Sequence, residues 1–405
     1  MKTIALLGTL NTKAEELNYI RERIIERGHQ VVLIDLSLTQ WNSSSFKPDI
    51  DQKQIAEESG MKLEELTSLA QEDACSAVVK GATHIVDKLF RSGKLDGIMA
   101  LGGTVGTSMG CAVMRSLPLG IPKLMVSTYV SDLRPYVGNK DIVFFPSITD
   151  MFGLNHISRR ILAKASGAIV GMVEAEASSF NVEKPLIGMS VRGDKAACVD
   201  NVKSLLEKNG FEVLCFHAVG QGLLLEELVR EGLISGVLDL VPAEVNEYLF
   251  GGMFSAGPDR LEAAGEKGIP QLISTGGIEF VCFPSEKAIP SQFRRRKKRP
   301  HNPNVIAIWL NRKEIIQVAQ VMAEKLNRAK GPTAIVIPMR GFGGGGWTID
   351  PKLIPVLINT LKENLKPEVE VVELDAHIND LSFAQGAVEH FLRLMANATG
   401  AAKSD

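Results

Sequence analysis

Along most of the chain, continuous apolar, β-branched runs alternate with segments whose apolar residues recur at helical spacing. The run TIALLG leads into Ala14–Arg27, where Leu17, Ile20, Ile24 and Ile25 share one helical face, and Gly28 ends that helix before the strand QVVLID. This is a β-α-β unit. After the polar stretch Trp41–Asp51 come two short helical patterns and a long one, Ala74–Arg91, closed by Ser92 and Gly93. DGIMALGG then reads as a buried strand, Thr107–Ser116 as a helix, KLMVST and DIVFF as strands, and Ile157–Val173 as a helix. Strands that are apolar throughout, separated by helices, predict a parallel sheet covered on both faces.

The pattern then repeats. Aligning TIALLGTLNTKAEELNYIRERIIERGHQVVLID with KPLIGMSVRGDKAACVDNVKSLLEKNGFEVLCFH places Lys13 over Lys195, Gly28 over Gly210 and Val31 over Val213 without a gap. GIPKLMVST, Gly120–Thr128, likewise matches GIPQLIST, Gly268–Thr275. The predicted fold is therefore α/β: two Rossmann-like, doubly wound domains with mostly parallel sheets, related by internal duplication. They span 1–178 and 184–405, with the junction in the polar segment Ala177–Lys184. The second copy continues through the strand AIVIPM, the run GFGGGG, a helix Pro351–Asn364, the strand VEVVELD and a helix Phe383–Ala396.

A chain of 405 residues is long for one core, which agrees with two domains. Its 45 Lys and Arg nearly balance 47 Asp and Glu, so no global field holds nucleic acid or an anionic membrane. No apolar run approaches the ~18 residues of a membrane span. The opening MKTIALLGTL passes into a charged amphipathic segment with no cleavage signal and reads as a strand. Five scattered cysteines without metal or redox spacing imply reduced thiols and a cytoplasmic protein. The compositional excess is glycine, 37 residues or about 9% against a usual ~7%, so its placement matters.

Two glycine turns follow apolar strands in the first half. In GTLNTKAEE, Thr12 and Glu15 have the spacing of a capping box, and Gly8 lets the chain turn. Free N–H groups at a helix start, the hydroxyls of Thr9 and Thr12 and the ammonium of Lys13 suit a phosphate, although plain capping explains the same residues. The turn is neither GxxxxGK[ST] nor GxGxxG, but Asp35 ends the second strand where a ribose-binding acid is expected. The second turn, LGGTVGTS, carries Gly102, Gly103, Thr104, Gly106 and Thr107, with Ser127 and Thr128 ending the next strand. In one doubly wound sheet both turns face one crevice, which favours a phosphorylated or nucleotide ligand over tight helix–strand packing alone.

In the second half Asp194 stands where Thr12 stood and reads as an N-cap that disfavours phosphate. Polar clusters lie in FSAGPDRLEAAG, HNP, MRGFGGGGWTIDP and LDAHINDLSFA. His377 with Asp380 is a candidate pair for proton transfer, and no metal site is assigned because HxxxH spacing and a third carboxylate are lacking. The glycine run Gly343–Gly346 reads as a flexible loop. The basic run Arg294–Arg299 lacks interleaved aromatics and reads as a solvated loop, which disfavours nucleic acid as a partner.

GTLNTKAEEL, LGGTVGTS, GIPKLMVST, PYVG, GLNHISRRILAKASGAI, FHAVGQG, SAGPDRLEAA, HNP and DAHIND together resemble the tomato mosaic virus resistance protein-like ATP-binding family through nearly the whole chain. The resemblance implies two Rossmann-like domains, an ATP–magnesium site in the first and frequent dimers. It places nucleotide binding on Gly8, Thr9, Thr12 and Lys13 and on Gly102, Gly103, Thr104, Gly106 and Thr107. Asn11 stands where the family commonly has Asp, and Thr104-Val105 where its second turn is richer in glycine. ATP binding is thus implied more directly than magnesium binding. The resulting expectation is an ATP-binding protein, either an enzyme acting on a small polar metabolite or a ligand-binding module without turnover. In the first case the metabolite sits between the domains, where His377, Asp380, His301 and Arg340 converge.

Overall fold

The structure is a computed structural model that describes residues 1–39, 47–129, 131–175, 184–344 and 349–401. The start of the stretch Trp41–Asp51, the junction segment up to Lys184, and Gly345 and Gly346 of the glycine run lie outside the described residues. The chain divides into two compact units, Met1–Phe180 and Asn181–Asp405.

The first unit is built on five parallel strands: β1 (Thr3–Gly8), β2 (Gln30–Asp35), β3 (Gly97–Gly102), β4 (Lys123–Ser127) and β5 (Ile142–Pro146). Their order is β2-β1-β3-β4-β5, so the direction of winding reverses between β1 and β3. The period-2 alternation of β1 shows why the run is apolar throughout. Ile4 and Leu6 pack with the helices Leu10–Ile25 and His156–Glu174, whereas Ala5 and Leu7 pack with Gln71–Arg91 and Thr104–Arg115.

The second unit holds a six-stranded parallel sheet of β6 (Leu186–Val191), β7 (Glu212–His217), β8 (Gly236–Asp239), β9 (Gln271–Ile273), β13 (Thr333–Pro338) and β14 (Glu370–Leu374). Between β9 and β13 the chain forms an antiparallel sheet of β10 (Phe280–Phe283), β11 (Lys298–Asn302) and β12 (Val305–Trp309). The parallel order is β14-β13-β9-β8-β6-β7. Read from its other edge, the first five positions repeat the order of the first unit, as a duplication requires. The local match extends to the backbone: Lys13 and Lys195 both interrupt the helical entry, at φ −132°, ψ 22° and φ −115°, ψ 19°.

Three local expectations are corrected. The first helix starts at Leu10 with Thr9 as its N-cap, and no Thr12–Glu15 capping box forms because the backbone kinks at Lys13. Asp194 is not a cap: its carboxylate is held by Arg192 and Lys195, and Lys195 takes the N-cap position. The basic run is a solvated loop only in part, with Arg294, Arg295 and Lys297 exposed outside any strand. Lys298 and Arg299 lie in β11 against β12, Arg296 grips Glu314 with two bonds of 2.7 and 2.6 Å, and Arg299 lies 5.8 Å from the Trp309 ring centre.

Behind the parallel sheet, Arg260 is 1% exposed and meets three carboxylates. Nε lies 2.8 Å from Glu244, Nη1 3.0 Å from Glu226 and Nη2 2.6 Å from Asp239. Glu226 also accepts the N–H groups of Leu261, Glu262 and Ala263, and Glu244 those of Gly220 and Gly222. One guanidinium thus ties the end of β8 to the segments 220–230, 244–250 and 260–263. Arg260→Met removes the counter-charge and leaves buried carboxylates unpaired, so a loss of about 3–5 kcal/mol is expected in denaturant unfolding. A change within experimental error would show that the tie carries no net stability.

Candidate functional site

In the first unit the two glycine turns leave adjacent strands. Gly8 is paired with Leu101, and Gly102 with Ser127, so the turns after β1, β3 and β4 open along one edge at the point where strand order reverses. Such reversal points are where ligands bind in open α/β sheets. The glycines divide by cause. A Cβ on Gly8 would stand 2.6 Å from a Leu17 methyl, and one on Gly102 2.5 Å from the Gly106 backbone, so close packing requires both. Gly103 has φ −77°, ψ −157°, open to any residue, and its Cβ would meet only Thr128 Oγ1 at 3.7 Å. At Gly106 a Cβ would make an ordinary 3.6 Å contact with the Leu101 carbonyl. Neither strain nor packing demands glycine at 103 or 106. Both flank the N-terminus of the helix Thr104–Arg115, which no side chain caps.

The remaining candidates sort into frame and rim. Asp35 is buried and accepts the N–H groups of Leu10 at 3.1 Å and Ser37 at 2.9 Å, together with the Ser37 hydroxyl. Burial pushes its carboxyl up, against these bonds. Through Oδ1 it braces the first turn. Thr107 and Ser127 are likewise internal, their hydroxyls 2.7 Å apart and fully buried. Lys13 donates to the Met151 carbonyl and lies 5.9 Å from the ring centre of Phe152, which is 91% exposed. Thr9 and Thr12 share a hydroxyl bond of 2.9 Å. Thr12 and Thr104 are exposed and Thr128 half-buried. Asn11 donates to Thr39 at 2.9 Å, while its buried Oδ1 has no partner among the described residues.

In the second unit a cavity of about 560 Å³ sits at the carboxyl ends of β6 and β7. Arg192, Gly193 and Asp194 enter it from the turn after β6, and His217 from the end of β7. The antiparallel sheet covers it with Phe280 and Cys282 of β10 and His301 of β11, and Phe254 completes an apolar wall. The size suits a small molecule. Among the described residues no group of three or more His, Cys, Asp or Glu is placed to hold a metal ion.

Of the four residues expected to converge, three lie together in neighbouring turns and the fourth stands at the cavity. His301 lines the cavity, whereas Arg340, His377 and Asp380 lie in the turns after β13 and β14. Arg340 pairs with Asp375 at the surface, Nε 2.9 Å from Oδ1. His377 Nε2 lies 2.8 Å from the Gly343 carbonyl, and its N–H donates to Asp380 at 2.8 Å. The bond from the His377 backbone N–H to Asp380 closes its own turn, and the imidazole ties that turn to the one after β13. Part of the glycine run also gains a role: a Cβ on Gly344 would stand 2.2 Å from the Asp194 carbonyl, to which Asn379 donates at 3.2 Å. Close backbone approach, rather than flexibility, explains that glycine. Sequence reasoning missed Arg192, His217, Phe254, Phe280 and Cys282 as site residues. The sequence did hold a signal for His217, which aligns with Asp35 and lies in the motif FHAVGQG.

The Uncharacterised protein family (UPF0261) matches in both halves, its N-terminal domain over residues 2–178 and its C-terminal domain over 184–395. The chain belongs to this family. A UPF0261 protein of Clostridium tetani is 39% identical over 402 residues, covering 97% of this chain and 99% of its own. The ToMV resistance protein Tm-1(GCR237) of Solanum lycopersicum is 32% identical over 416 residues, covering 96% of this chain and 55% of that protein. The chain thus spans about half of the tomato protein's length. A solved UDP-N-acetylglucosamine 2-epimerase from Rickettsia bellii aligns over 98% of this chain and 96% of its own at 12% identity, but its TM-score of 0.22 carries no argument. No helix among the described residues is long and apolar enough to cross a membrane.

Around the cavity this UPF0261 protein buries several ionisable groups. Burial raises Asp194, yet Arg192 and Lys195 hold it below the usual carboxylate range on balance. Burial pushes Glu279 up. Glu247, which accepts the Cys282 N–H at 3.0 Å, is pushed up to about 8 by burial against a reference of 4.5. The unfolded chain therefore ionises Glu247 near pH 4.5 while the folded chain holds the proton to about pH 8. Its contribution to stability is full below pH 4.5 and falls progressively as pH rises to 8. Glu247→Gln removes this titration. Melting temperatures between pH 5 and pH 8 should then decline less steeply than in the parent, and an identical slope would refute the assignment.

Proposed function

We propose that the first unit binds ATP or a related nucleoside polyphosphate in the crevice between the turns after β1 and β3. The observation that carries this reading is Gly103: a glycine in an unrestricted conformation, with room for a side chain, beside an uncapped helix N-terminus and the Thr128 hydroxyl. A phosphate there would accept the free N–H groups of the helix Thr104–Arg115, aided by the helix dipole and the hydroxyls of Thr104 and Thr128. Lys13 adds positive charge at the facing turn. The unpartnered Oδ1 of Asn11 offers an acceptor for a ribose hydroxyl or for water on a magnesium ion. The dimer implied by the family resemblance and the cytoplasmic setting read from the cysteines belong to the same reading, and sedimentation of the full chain tests the dimer.

Calorimetric titration with ATP, with and without magnesium, is the direct measurement. Gly103→Val fits the backbone but is a poorer N-cap, so its melting temperature should fall only slightly while ATP affinity falls by about tenfold or more. Unchanged affinity in a folded Gly103→Val protein, or no saturable heat at millimolar ATP, would remove the proposal. Phosphate release over many turnovers, assayed with candidate metabolites, separates an ATP-dependent enzyme from a ligand-binding module.

A further inference from the structure

The cavity of the second unit has a chemistry of its own. Phe254 and Phe280 give it an apolar face, and the Arg192 guanidinium lies 4.5 Å from the Phe280 ring centre, with Nε fixed on Asp194 at 2.9 Å. Next along the turn, Lys195 is fully buried, bonded to Asp194 and 3.9 Å from Glu279, whose two carboxyl oxygens have no hydrogen-bond partner among the described residues. Burial favours the neutral form of Glu279, whereas Asp194 is held ionised. The Arg192 guanidinium and the Lys195 side chain are thus both tied to the Asp194 carboxylate, which lines the same end of the cavity as Arg192. His217 and His301, presented by β7 and β11, add imidazole N–H donors from two sides. Gly193 leaves the floor open: a Cβ there would meet nothing within 4 Å.

We infer that this cavity is a second ligand site, for a small organic anion with a flat apolar body and one carboxylate or phosphate monoester. The ring would lie against Phe254 and Phe280, and the anionic end would face Arg192 and the two histidines. A flat body fits because the aromatic walls offer stacking and edge contacts. An anion fits because a guanidinium in a partly dry site retains charge that bulk water would screen.

Benzoate, phenyl phosphate and the neutral benzyl alcohol are titrated into the full chain by saturation-transfer NMR and calorimetry. At least one anionic probe should saturate, with benzyl alcohol about tenfold weaker or more. The tighter anion identifies carboxylate or phosphate as the natural end group. Gly193→Leu, which fills the floor, and the surface pair His217→Ala with His301→Ala should each weaken the anion by about tenfold or more. Val305→Phe at the cavity wall provides a second occluding change should Gly193→Leu fail to fold. Equal binding of benzyl alcohol, anion affinity unchanged in a folded occluding variant, or no saturation at millimolar anion would overturn the inference. ATP titrations on the same variants keep the two sites distinct, since loss of nucleotide binding in Gly103→Val leaves the anion site untouched.

Discussion

A parallel sheet sends every strand's carboxyl end to the same edge, and where strand order reverses the chain must leave adjacent strands toward opposite faces. The first unit shows this directly. The helix after β1 packs with Ile4 and Leu6, the helix after β3 with Ala5 and Leu7, and the turns between strand and helix diverge. Side chains cannot close the gap without breaking one helix–sheet contact. The crevice is therefore a by-product of covering both faces, and it fixes where the first unit's glycines, hydroxyls and uncapped N–H groups collect.

The second unit repeats that strand order and fills the corresponding edge differently. Where the first unit has Leu10, Thr12 and Lys13, the second has Arg192, Asp194 and Lys195, a charged cluster that a water-filled crevice would screen. The antiparallel insertion covers it and turns an open edge into a walled cavity. Burying so much charge is tolerable only with pairing. Arg260 with its three carboxylates supplies this on one side of the sheet edge, and Glu247 meets the same constraint by keeping its proton. Membership of UPF0261 across both halves fits a duplication that has since diverged in chemistry while keeping its winding.

Much of the fold was legible along the chain. Runs such as TIALLG and GIMALG are apolar at every position because both faces of their strands are covered, and the gapless match of Lys13 with Lys195 announced two copies of one unit. The basic run was misjudged because its pairing partner, VIAIW, lies beyond HNP. Strand pairing is a tertiary fact that local charge does not reveal. The site was legible by half. Gly103 and Gly8 look alike in sequence, and only the distance from each absent Cβ to its neighbours separates packing from open space.

By itself the sequence determined the class of the fold, the duplication and the strand ends at which polar groups gather, because hydrophobic periodicity is a local consequence of which faces are buried. Tertiary structure decided which of those polar groups meet. His377 and Asp380, three residues apart, bond to each other and to the turn after β13, while Arg192, His217 and His301, far apart along the chain, line one cavity. The reason is physical: a side chain's chemistry is carried by its residue, but its partners are set by which strand ends the sheet brings side by side.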